Sequence, residues 1–360
     1  MSRVLITGGA GFIGSHLCLQ MLSAGHSLVV LDDFSNSSPV ALQRVAVLAG
    51  LHQLRPDGSG IWRDCQPARL ELRHGDVRCR ADLLQACQNI DAVMHLAGLK
   101  SVGESVHDPL RYWDINVHGT MQLLQVMNEF ACRTVVFSSS ASIYGLQEHV
   151  PIAESATINP INPYASTKAT VEQLLSDLVG SGCGWRVACL RYFNTVGAHP
   201  SGQIGEAPLS VPSNLFPLII QVASGRRGSL HIYGQDWPTK DGTCIRDYIH
   251  VLDLADGHIA ALHHLLNNGS QFLRFNLGSG HGHSVLDAIE TFNAVSGISI
   301  PWTVTERRPG DAAVSVADVR LAEQVLGWTA SRSLQDMCKD SWAWLCSNPS
   351  GYTDESHNAE

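Results

Sequence analysis

The sequence predicts a doubly wound α/β fold, in which helices cover both faces of a parallel sheet, followed by a smaller C-terminal lobe. Three observations support this prediction. Apolar runs of strand length alternate with helical patterns through the first half of the 360 residues, and repeated β-α-β order is typical of parallel sheets. A glycine-rich turn at residues 8–14 follows the first apolar run. After residue 191 the sequence becomes irregular and rich in proline and glycine, which indicates a separate lobe.

Six apolar runs in the first half predict the strands of the sheet, and helical patterns lie between several of them. The strands are expected at residues 4–7, 27–32, 70–73, 92–95, 134–138 and 187–191. The helices are expected at residues 13–24, 81–88, 109–130 and 164–179. Right-handed crossovers would then place helices on both sides of the sheet. Residues 50–68 interrupt the alternation with glycine, proline and charge, and predict a surface excursion.

The second half predicts a smaller lobe laid over the carboxyl edge of the sheet. Helical patterns occur at residues 215–224, 251–266 and 284–295, and a strand is expected at 272–276. The expected division is a sheet domain over residues 1–192, to which the chain returns near 248–276, and a substrate-binding lobe that is mainly residues 193–350. Residues 351–360 predict a loose polar tail.

The composition is that of a globular protein without general affinity for polyanions. Hydrophobic residues make up 44% of the chain and charged residues 16%, which is ample material for a core. With 24 basic and 33 acidic residues, the net charge of −9 argues against general binding to nucleic acid or to an anionic membrane. No apolar run has the length of a transmembrane helix, and the one near the N-terminus is too short for a signal peptide.

The ten cysteines and 17 histidines predict neither disulfides nor a metal centre. No two cysteines form a C-x-x-C pair and several lie in apolar surroundings, so reduced thiols and a cytoplasmic location are expected. His281 and His283 come closest to a metal-binding pair. Because no third ligand has a suitable spacing, no metal is expected.

The turn after the first strand has the spacing of a dinucleotide-binding (Rossmann) loop. In T-G-G-A-G-F-I-G, Gly8, Gly11 and Gly14 would allow a tight turn, close approach of a pyrophosphate and close packing of the next helix. The amides that open that helix would face the pyrophosphate. Asp32 ends the second strand, 18 residues after Gly14, at about the distance expected for a carboxylate on the adenosine ribose. Because this carboxylate would repel a 2′-phosphate, NAD is predicted rather than NADP.

Residues that follow the third and fourth strands are also expected beside the cofactor. Ligands of open α/β sheets bind outside the carboxyl ends of the strands. Asp76 is expected either to accept a hydrogen bond from the adenine amino group or to cap the following helix. The small residues in the run Leu96, Ala97 and Gly98 would let the backbone pass close to the cofactor.

Ser140, Tyr164 and Lys168 predict an oxidation site at the same edge of the sheet. Ser140 follows the fifth strand, and Tyr164 and Lys168 share a helix face one turn apart. A phenol with a pKa near about 10 is a poor base, but a neighbouring ammonium and a cationic nicotinamide would both lower that pKa. Tyr164 could then take a proton from a sugar or alcohol hydroxyl while hydride leaves for NAD. Lys168 could also hold the nicotinamide ribose, and Ser140 could hydrogen-bond the reacting oxygen.

These motifs together resemble the extended short-chain dehydrogenase/reductase family, and within it the UDP-glucose 4-epimerase family. The resemblance is carried by A-G-L-K-S-V-G-E-S-V (97–106), S-S-S-A-S-I-Y-G (138–145), L-R-Y-F-N-T-V-G-A-H-P-S-G (190–202) and R-D-Y-I-H-V-L-D-L-A-D-G-H (246–258). It covers nearly the whole chain, and residues 50–68 are the main departure in length. It implies a tightly held NAD that is not consumed. Tyr164 would remove the O4 proton during oxidation at sugar C4, and the 4-keto sugar would turn and take the hydride back on its other face.

The resemblance also implies further contacts and a partner. Besides the glycine loop and Asp32, the implied cofactor contacts are Phe12, Ile13, Asn36, Val77, Lys100, Asn116, Ser138 and Tyr192. The implied contacts to a UDP-sugar are Lys100, Phe193, Asn194, Asn214, Leu215, Arg246, Arg308, Asp311 and Ser315. Of these, Arg246 and Arg308 would hold the diphosphate and Asp311 the uridine ribose. Two helices, at about 107–130 and 164–179, would pair across a homodimer.

Ser315 is expected to widen the range of substrates. In the resembled family, a bulky tyrosine at this position goes with restriction to UDP-glucose and UDP-galactose, and a small residue goes with tolerance of N-acetyl groups. We therefore expect activity on the UDP-N-acetylhexosamines as well. The alternative is that other residues close the pocket.

Two other functions stay open at this point. A nucleotide-sugar 4,6-dehydratase also oxidises C4, but it needs an acid/base pair after the serine, where this chain has Ala141 and Ser142. A non-enzymatic NAD-sensing protein could keep the same fold. The intact set of Ser140, Tyr164 and Lys168 favours an enzyme, because a sensor has no use for a tuned phenol.

Overall fold

A large mostly parallel sheet with helices on both faces forms the first part of the molecule, and smaller sheets and helices form the second. The computed structural model describes residues 1–56, 61–64, 67, 69–209, 212 and 214–352. Of the expected polar tail, residues 353–360 lie outside the described residues. Among the helices of the described ranges, none is long and apolar enough to cross a membrane.

Seven parallel strands form the doubly wound sheet that the sequence predicts. They are β1 (Arg3–Thr7), β2 (Ser27–Asp32), β5 (Leu70–His74), β6 (Ala92–His95), β7 (Thr134–Ser140), β8 (Arg186–Tyr192) and β12 (Gln271–Leu277). Their order is β12-β8-β7-β6-β1-β2-β5. The chain order reverses between β1 and β6, and the crevice at such a reversal is where ligands bind.

Two apolar cores cover the two faces of this sheet. In β1, Val4 and Ile6 point into one core and Leu5 into the other, as the alternation of a strand requires. Helices α1 (Phe12–Ser23), α2 (Pro39–Leu48) and α9 (Val251–Asn267) supply the first core. Helices α3 (Arg80–Ala86) and α7 (Pro163–Gly180) supply the second. Because these strands are buried on both faces, their sequences are continuous apolar runs.

The region expected to be a surface excursion adds a hairpin to the sheet. Strands β3 (Arg55–Pro56) and β4 (Ile61–Arg63) pair antiparallel with each other, and β4 pairs antiparallel with β5. The expectation was therefore incomplete, because the open edge of β5 offers backbone groups that a further strand can satisfy. Residues 57–60, 65, 66 and 68 of this region lie outside the described residues.

The single helix expected at residues 109–130 is divided by a wider turn. Helix α4 (Val102–His107) comes first, and α5 (Pro109–Tyr112) and α6 (Gly119–Glu129) flank π-helical residues Trp113–His118. Asn116 in this turn bonds the backbone of Leu99 and the Thr167 hydroxyl. These contacts come from distant parts of the chain, so periodicity could not predict the wider turn. Turns of this kind are frequent at functional sites.

The C-terminal lobe is built on short strands and its own apolar core. One sheet contains β9 (Asn194–Val196), β11 (Ile245–His250), β13 (Gly282–Ser284) and β15 (Val314–Ser315), and a second contains β10 (Leu230–Tyr233) and β14 (Trp302–Thr305). The helices are α8 (Leu215–Ala223), α10 (Val285–Ser296), α11 (Arg320–Leu326) and α12 (Leu334–Ser347). Phe216, Phe292 and Met337 meet in the core between them. Residues 210, 211 and 213 lie outside the described residues.

Two elements of the second half lie in the first part of the molecule. Helix α9 contributes to a core of the large sheet, and β12 pairs with β8 along its whole length. Strand β11 runs directly into α9, so one continuous segment joins the two parts. The division of the chain into domains at residue 192 stays a prediction.

Candidate active site

The glycine loop between β1 and α1 forms a cradle that larger side chains would fill. Gly8 has a φ of +70°, and a β-carbon there would lie 2.8 Å from the Ala97 nitrogen. A β-carbon on Gly14 would lie 2.3 Å from the Gly8 carbonyl oxygen. Among the described residues, no side chain caps α1 at Gly11, so the helix opens at Phe12 with uncapped amides. Such a helix start binds phosphate groups, and the loop therefore fits the pyrophosphate of a dinucleotide.

Asp32 lies at the end of β2, directly beside the glycine loop. One carboxylate oxygen accepts from the Ala10 amide at 2.8 Å, and the other accepts from the Phe34 amide at 3.0 Å and the Ser37 hydroxyl at 2.7 Å. Burial raises the pKa of Asp32, and these hydrogen bonds act in the opposite direction. The carboxylate thus ties the loop to the second strand. Its contact with an adenosine ribose stays a prediction.

Asp76 is paired with Arg78 and does not cap the helix that follows. Its carboxylate accepts from the Arg78 amide at 2.8 Å and from the guanidinium at 2.5–3.1 Å. Helix α3 begins after Cys79, and that residue makes no side-chain cap among the described residues. The helix-cap interpretation is therefore wrong, because the local turn to Arg78 already satisfies the carboxylate. The hydrogen bonds from Arg78 lower the pKa of Asp76. Its contact with adenine stays a prediction.

Asn116 fixes the chain where it leaves β6. Its carboxamide oxygen accepts from the Leu99 amide at 2.8 Å, and its nitrogen donates to the Leu99 carbonyl and the Thr167 hydroxyl, each at 3.1 Å. A β-carbon on Gly98 would lie 2.9 Å from the same carboxamide oxygen. The backbone after Leu96 and Ala97 is thereby held against α7, because only glycine fits at residue 98.

Lys168 is buried between α7 and the serines that close β7. Its ammonium donates to the Ser138 carbonyl at 2.7 Å and to the Ser138 hydroxyl at 3.3 Å. The same nitrogen stands 4.8 Å from the centroid of the Phe137 ring, a distance that favours a cation–π contact. Burial lowers the pKa of Lys168 to about 8. The predicted lysine is therefore held at the carboxyl end of β7.

Tyr164 lies beside Ser140 and Lys100. Burial raises the pKa of its phenol, and a hydrogen bond with Ser140 and the charge of Lys100 act in the opposite direction. The expected fall in the Tyr164 pKa is therefore wrong for the chain by itself, because desolvation of a phenolate outweighs the two favourable contacts. The Ser140 hydroxyl also accepts from the Ser142 hydroxyl at 2.9 Å. The structure nevertheless brings the predicted serine, tyrosine and lysine to one edge of the sheet.

Lys100 has a partner that the sequence did not indicate. Its ammonium donates to the Glu206 carboxylate at 3.1 Å, and the charge of Glu206 raises the pKa of Lys100. The Glu206 carbonyl in turn accepts from the Trp344 indole at 3.2 Å. The loop after β9 thus orients the cation that faces Tyr164. No spacing could predict this pair, since 106 residues separate its members.

Tyr192 and Phe193, at the end of β8, have different surroundings. The Tyr192 hydroxyl makes a very short hydrogen bond to the His258 ring. Burial and the charge of Tyr164 raise the pKa of Tyr192, and Ser138 acts in the opposite direction. Phe193 is only 8% exposed and packs with Ile143 in a small apolar cluster. Tyr192 therefore lies within the group of predicted catalytic residues. For Phe193 the structure gives a packing role, and a substrate contact stays a prediction.

Arg246, Arg308 and Asp311 meet in the C-terminal lobe. The Arg308 guanidinium lies 3.2 Å from the Asp311 carboxylate, and the Arg246 guanidinium lies 3.8 Å from it. Arg246 also donates to the Ala312 carbonyl at 2.7 Å. Two guanidinium groups beside one carboxylate leave a net positive charge, which suits a diphosphate. Ser315 is the partner of Arg246 in the parallel pairing of β11 with β15.

The remaining predicted residues lie at the ends of strands and helices. Asn36 follows β2, Val77 follows β5, Asn194 begins β9, and Asn214 and Leu215 stand at the start of α8. Their contacts with a cofactor or a substrate stay predictions. In the described ranges no group of three or more His, Cys, Asp or Glu side chains could hold a metal ion.

Three residues that contact this site were missed by the sequence reasoning. Glu172 follows Lys168 by one helical turn, and its spacing could have indicated it. His258 closes the stretch R-D-Y-I-H-V-L-D-L-A-D-G-H, but no spacing links it to Tyr192. No pattern in the sequence indicates that Glu206 contacts this site.

The fold and the site define a dinucleotide-dependent enzyme that oxidises a carbon bearing a hydroxyl group. The glycine cradle, the carboxylate after β2 and the tyrosine–lysine pair lie together where a doubly wound sheet binds its ligand. Residues 4–278 match the model of the NAD dependent epimerase/dehydratase family. The chain belongs to this family.

Curated relatives resemble the chain over its whole length. It is 48% identical to UDP-glucose 4-epimerase 2 of Arabidopsis thaliana over 358 residues, which cover 99% of this chain and 98% of that protein. It is 46% identical to UDP-glucose 4-epimerase of Bacillus subtilis over 349 residues, which cover 97% of this chain and 98% of the relative.

Solved structures resemble the whole chain as well. UDP-glucose-4-epimerase from Stenotrophomonas maltophila, with bound NAD and formylated UDP-arabinopyranose, aligns with a TM-score of 0.90 and 43% identity over 97% of this chain and 99% of that chain. UDP-glucose 4-epimerase from Bifidobacterium longum, in complex with NAD+ and UDP, aligns with a TM-score of 0.89 and 42% identity over 98% of this chain and 100% of that chain.

Proposed function

We propose that this protein interconverts UDP-galactose and UDP-glucose by transient oxidation at sugar C4, with an NAD that stays bound. The observation that carries the proposal is the position of Tyr164, between Ser140 and Lys100 and one turn from Lys168, at the carboxyl edge of a dinucleotide-binding sheet. Relatives that match the entire chain are UDP-glucose 4-epimerases. The protein is thus an NAD-dependent isomerase.

The cofactor is held by the residues that form the cradle. The loop with Gly8, Gly11 and Gly14 receives the pyrophosphate on the uncapped start of α1. Asp32 receives the adenosine ribose, which favours NAD over NADP. When bound, NAD supplies the acceptor for the hydride at C4 and a positive charge at the nicotinamide. Lys168 would hold the nicotinamide ribose.

Tyr164 is the acid/base of the reaction. It takes the O4 proton when C4 is oxidised and returns it when C4 is reduced from the other face. Ser140 hydrogen-bonds the same oxygen and orients it. The positive charge of Lys100 favours the phenolate, and the hydrogen bond with Ser140 acts in the same direction. Burial outweighs both, so the pKa of Tyr164 is raised in the protein by itself. The positive charge that NAD would bring at the nicotinamide would lower that pKa.

The UDP part of the substrate binds the C-terminal lobe. Arg246 and Arg308 hold the diphosphate, and Asp311 between them accepts from the uridine ribose. The charges of these three side chains support this assignment, since they sum to one positive charge in a small volume. A sugar anchored only through its diphosphate can turn about that link. Both faces of C4 can then be presented to one catalytic tyrosine.

The N-acetylated substrates are a further part of the proposal. Ser315 lies on the strand beside Arg246, so it faces the substrate end of the lobe. A serine side chain leaves space that a tyrosine would fill. The enzyme therefore also epimerises the UDP-N-acetylhexosamines.

A homodimer and a cytoplasmic location complete the proposal. Leu110 in α5 is 80% exposed, and Val106 in α4 and Met121 in α6 are exposed as well, which leaves apolar side chains for a second copy of the chain to cover. Nine cysteines lie in the described residues and all of them are free thiols, which supports a reducing compartment.

The first experiment is to incubate purified protein with UDP-galactose, without added NAD, and to follow UDP-glucose by NMR. Conversion is expected, because the bound cofactor is regenerated in each cycle. A 4-keto-6-deoxy product would instead indicate a dehydratase. That outcome is not expected, because Ala141 and Ser142 offer no carboxyl group after Ser140. Retention of NAD without any product would indicate a sensor.

A further inference from the structure

A segment that follows β9, residues 202–209, crosses the carboxyl edge of the large sheet. The Glu206 carboxylate accepts from the ammonium of Lys100, which follows β6, at 3.1 Å. The Leu209 amide donates to the side chain of Asn36, which follows β2, at 3.0 Å. Strands β6 and β2 are the two neighbours of β1. We call this segment the strap, because it joins the two sides of the place where the glycine loop begins.

The length of the strap fits such a crossing. The chain from Glu206 to Leu209 can span at most about 10 Å. Two strands that have one strand between them also lie about 10 Å apart. The strap is therefore long enough to cross β1 but too short for a wide detour, and it passes over the carboxyl end of β1. A dinucleotide whose pyrophosphate occupies the glycine cradle would be enclosed by it.

The start of the strap is fixed to the first part of the molecule. Ile204 is fully buried in the apolar core that α1, α2 and α9 supply. Arg44 on α2 donates to the Gln203 carbonyl at 3.0 Å and to the Asn348 carboxamide oxygen at 2.5 Å. The Asn348 carboxamide nitrogen in turn donates to the Gly202 carbonyl at 2.7 Å. The part of the strap that can move away from the sheet is thus the part after Ile204.

Two aromatic residues near the C-terminus hold that part. The Tyr352 hydroxyl accepts from the Gly205 amide at 3.0 Å and donates to the Gly205 carbonyl at 3.1 Å. The Trp344 indole donates to the Glu206 carbonyl at 3.2 Å. The two rings pack together with their centroids 4.8 Å apart, and a β-carbon on Gly205 would clash with the Trp344 ring. We call Trp344 and Tyr352 the latch.

We propose that Trp344 and Tyr352 are positioning residues for the cofactor, which hold the strap across the sheet edge and so keep NAD bound between reaction cycles. NAD can leave the glycine cradle only when the strap moves, because the strap crosses the edge of the sheet above that cradle. The strap can move only when the hydrogen bonds of the latch break. The inference deepens the proposed function, since a cofactor that is regenerated in each cycle must stay bound, and only its activity arm rests on that function.

Tyr352→Phe should speed the release of NAD. The substitution keeps the ring that packs against Trp344 but removes the acceptor and the donor that Gly205 uses. Loss of one typical hydrogen bond makes an opening about fivefold more frequent. We therefore expect NAD to leave at least about fivefold faster. Trp344→Phe, which removes the indole donor to Glu206, should act in the same direction.

The measurement is the exchange of bound NAD with radiolabelled NAD. The purified protein with its bound cofactor is mixed with an excess of radiolabelled NAD, and the label on the protein is followed in time after rapid gel filtration. Trp328→Phe is the matched control, because the Trp328 indole also donates to one backbone carbonyl, that of Asp253 on α9, at 3.1 Å. The two tryptophans are similarly buried, with 6% of Trp328 and 3% of Trp344 exposed.

The outcomes separate a role in holding NAD from a role in stability alone. Faster NAD exchange in Tyr352→Phe and Trp344→Phe than in the wild type and Trp328→Phe supports the inference. An unchanged rate in Tyr352→Phe, or an equal increase in Trp328→Phe, would overturn it. Deuterium exchange of the strap amides, followed by mass spectrometry, adds a second test. Faster amide exchange in Tyr352→Phe with unchanged NAD release would also count against the inference. If Trp344→Phe does not fold, Tyr352→Phe decides in the same way.

The activity arm uses the epimerisation of UDP-galactose after dilution into buffer without NAD. The activity of Tyr352→Phe should decay at least about fivefold faster than that of the wild type, and added NAD should restore it. If the wild-type protein has no activity on this substrate, the proposed function fails, while the exchange of NAD still decides the role of the latch.

Discussion

Arg191 and Glu172 form a two-pronged ion pair inside the protein. Two guanidinium nitrogens of Arg191 donate to the two carboxylate oxygens of Glu172, at 2.6 Å and 3.0 Å. The Arg191 side chain is fully buried and that of Glu172 is 4% exposed. The Ser139 hydroxyl donates to the same carboxylate at 2.5 Å. The helix that carries Tyr164 and Lys168 is thereby fixed to β7 and β8.

Breaking this pair should destabilise the protein strongly. In Arg191→Met the Glu172 carboxylate loses its counter-charge while it stays buried, and such a change costs about 3–5 kcal/mol of unfolding free energy. Urea denaturation followed by tryptophan fluorescence measures the loss. The matched control is Arg80→Ala, which removes an ion pair to Glu129 whose side chains are 47% and 45% exposed. The control should cost less than about 1 kcal/mol. Equal losses in the two variants would contradict the assigned role of burial.

Tyr164→Phe should abolish the reaction without releasing the cofactor. The substitution removes the hydroxyl that we assign to proton exchange with O4, and loss of a general acid/base lowers kcat by about 10²–10⁴-fold. NAD content per chain, measured after denaturation, should stay at the wild-type value, because the cradle is unchanged. Thr170→Ala, which removes an exposed hydroxyl from the same helix, is a control that should keep most of the activity. A variant that lost NAD along with activity would show that the phenol acts on binding.

Stability should fall steeply as the pH drops below about 6.5. Burial lowers the pKa of His16 and His95 to about 3, whereas an unfolded histidine titrates near about 6.5. Between these values the unfolded chain binds a proton that the folded chain does not. Each residue then removes up to about 1.4 kcal/mol of unfolding free energy per pH unit. Urea denaturation between pH 7 and pH 4 measures the slope.

A variant of one histidine isolates this contribution. In His95→Gln the amide can keep hydrogen bonds to Thr7 and Thr120 but cannot titrate, so the slope should be smaller by up to about 1.4 kcal/mol per pH unit. His107→Gln, at an exposed position, is the control. If the unfolding free energy of His95→Gln and of the wild type changed with pH at the same slope, the prediction that buried His95 stays neutral would be contradicted.

Ser315→Tyr should narrow the substrate range. The larger side chain would occupy the space beside Arg246, so the activity ratio of UDP-N-acetylgalactosamine to UDP-galactose should fall at least about tenfold, which corresponds to about 1.4 kcal/mol. Both rates can be followed by NMR of the sugar anomeric protons. Ser315→Ala keeps the space open and should leave the ratio unchanged. An unchanged ratio in Ser315→Tyr would mean that other residues gate the pocket.

The sequence alone determined the parallel sheet, the glycine loop and the place of the tyrosine–lysine pair. These features depend on local patterns: apolar runs buried on both faces of a sheet, glycines at fixed intervals, and Tyr164 and Lys168 four residues apart on one helix. Each pattern lies within a short stretch of sequence, so it can be recognised without knowledge of the fold. The ends of the predicted strands in the first half differ from the structure by no more than two residues.

Only the tertiary structure decided which distant groups surround the predicted site residues. The π-helical turn at Asn116, the pairing of Lys100 with Glu206 and the pairing of Tyr192 with His258 join parts of the sequence that share no spacing. The same holds for the raised pKa of Tyr164. The sequence placed positive charge near the phenol, but only the packed site shows how much water is removed from it. Desolvation depends on every neighbour in space, and most of those neighbours are remote in the chain.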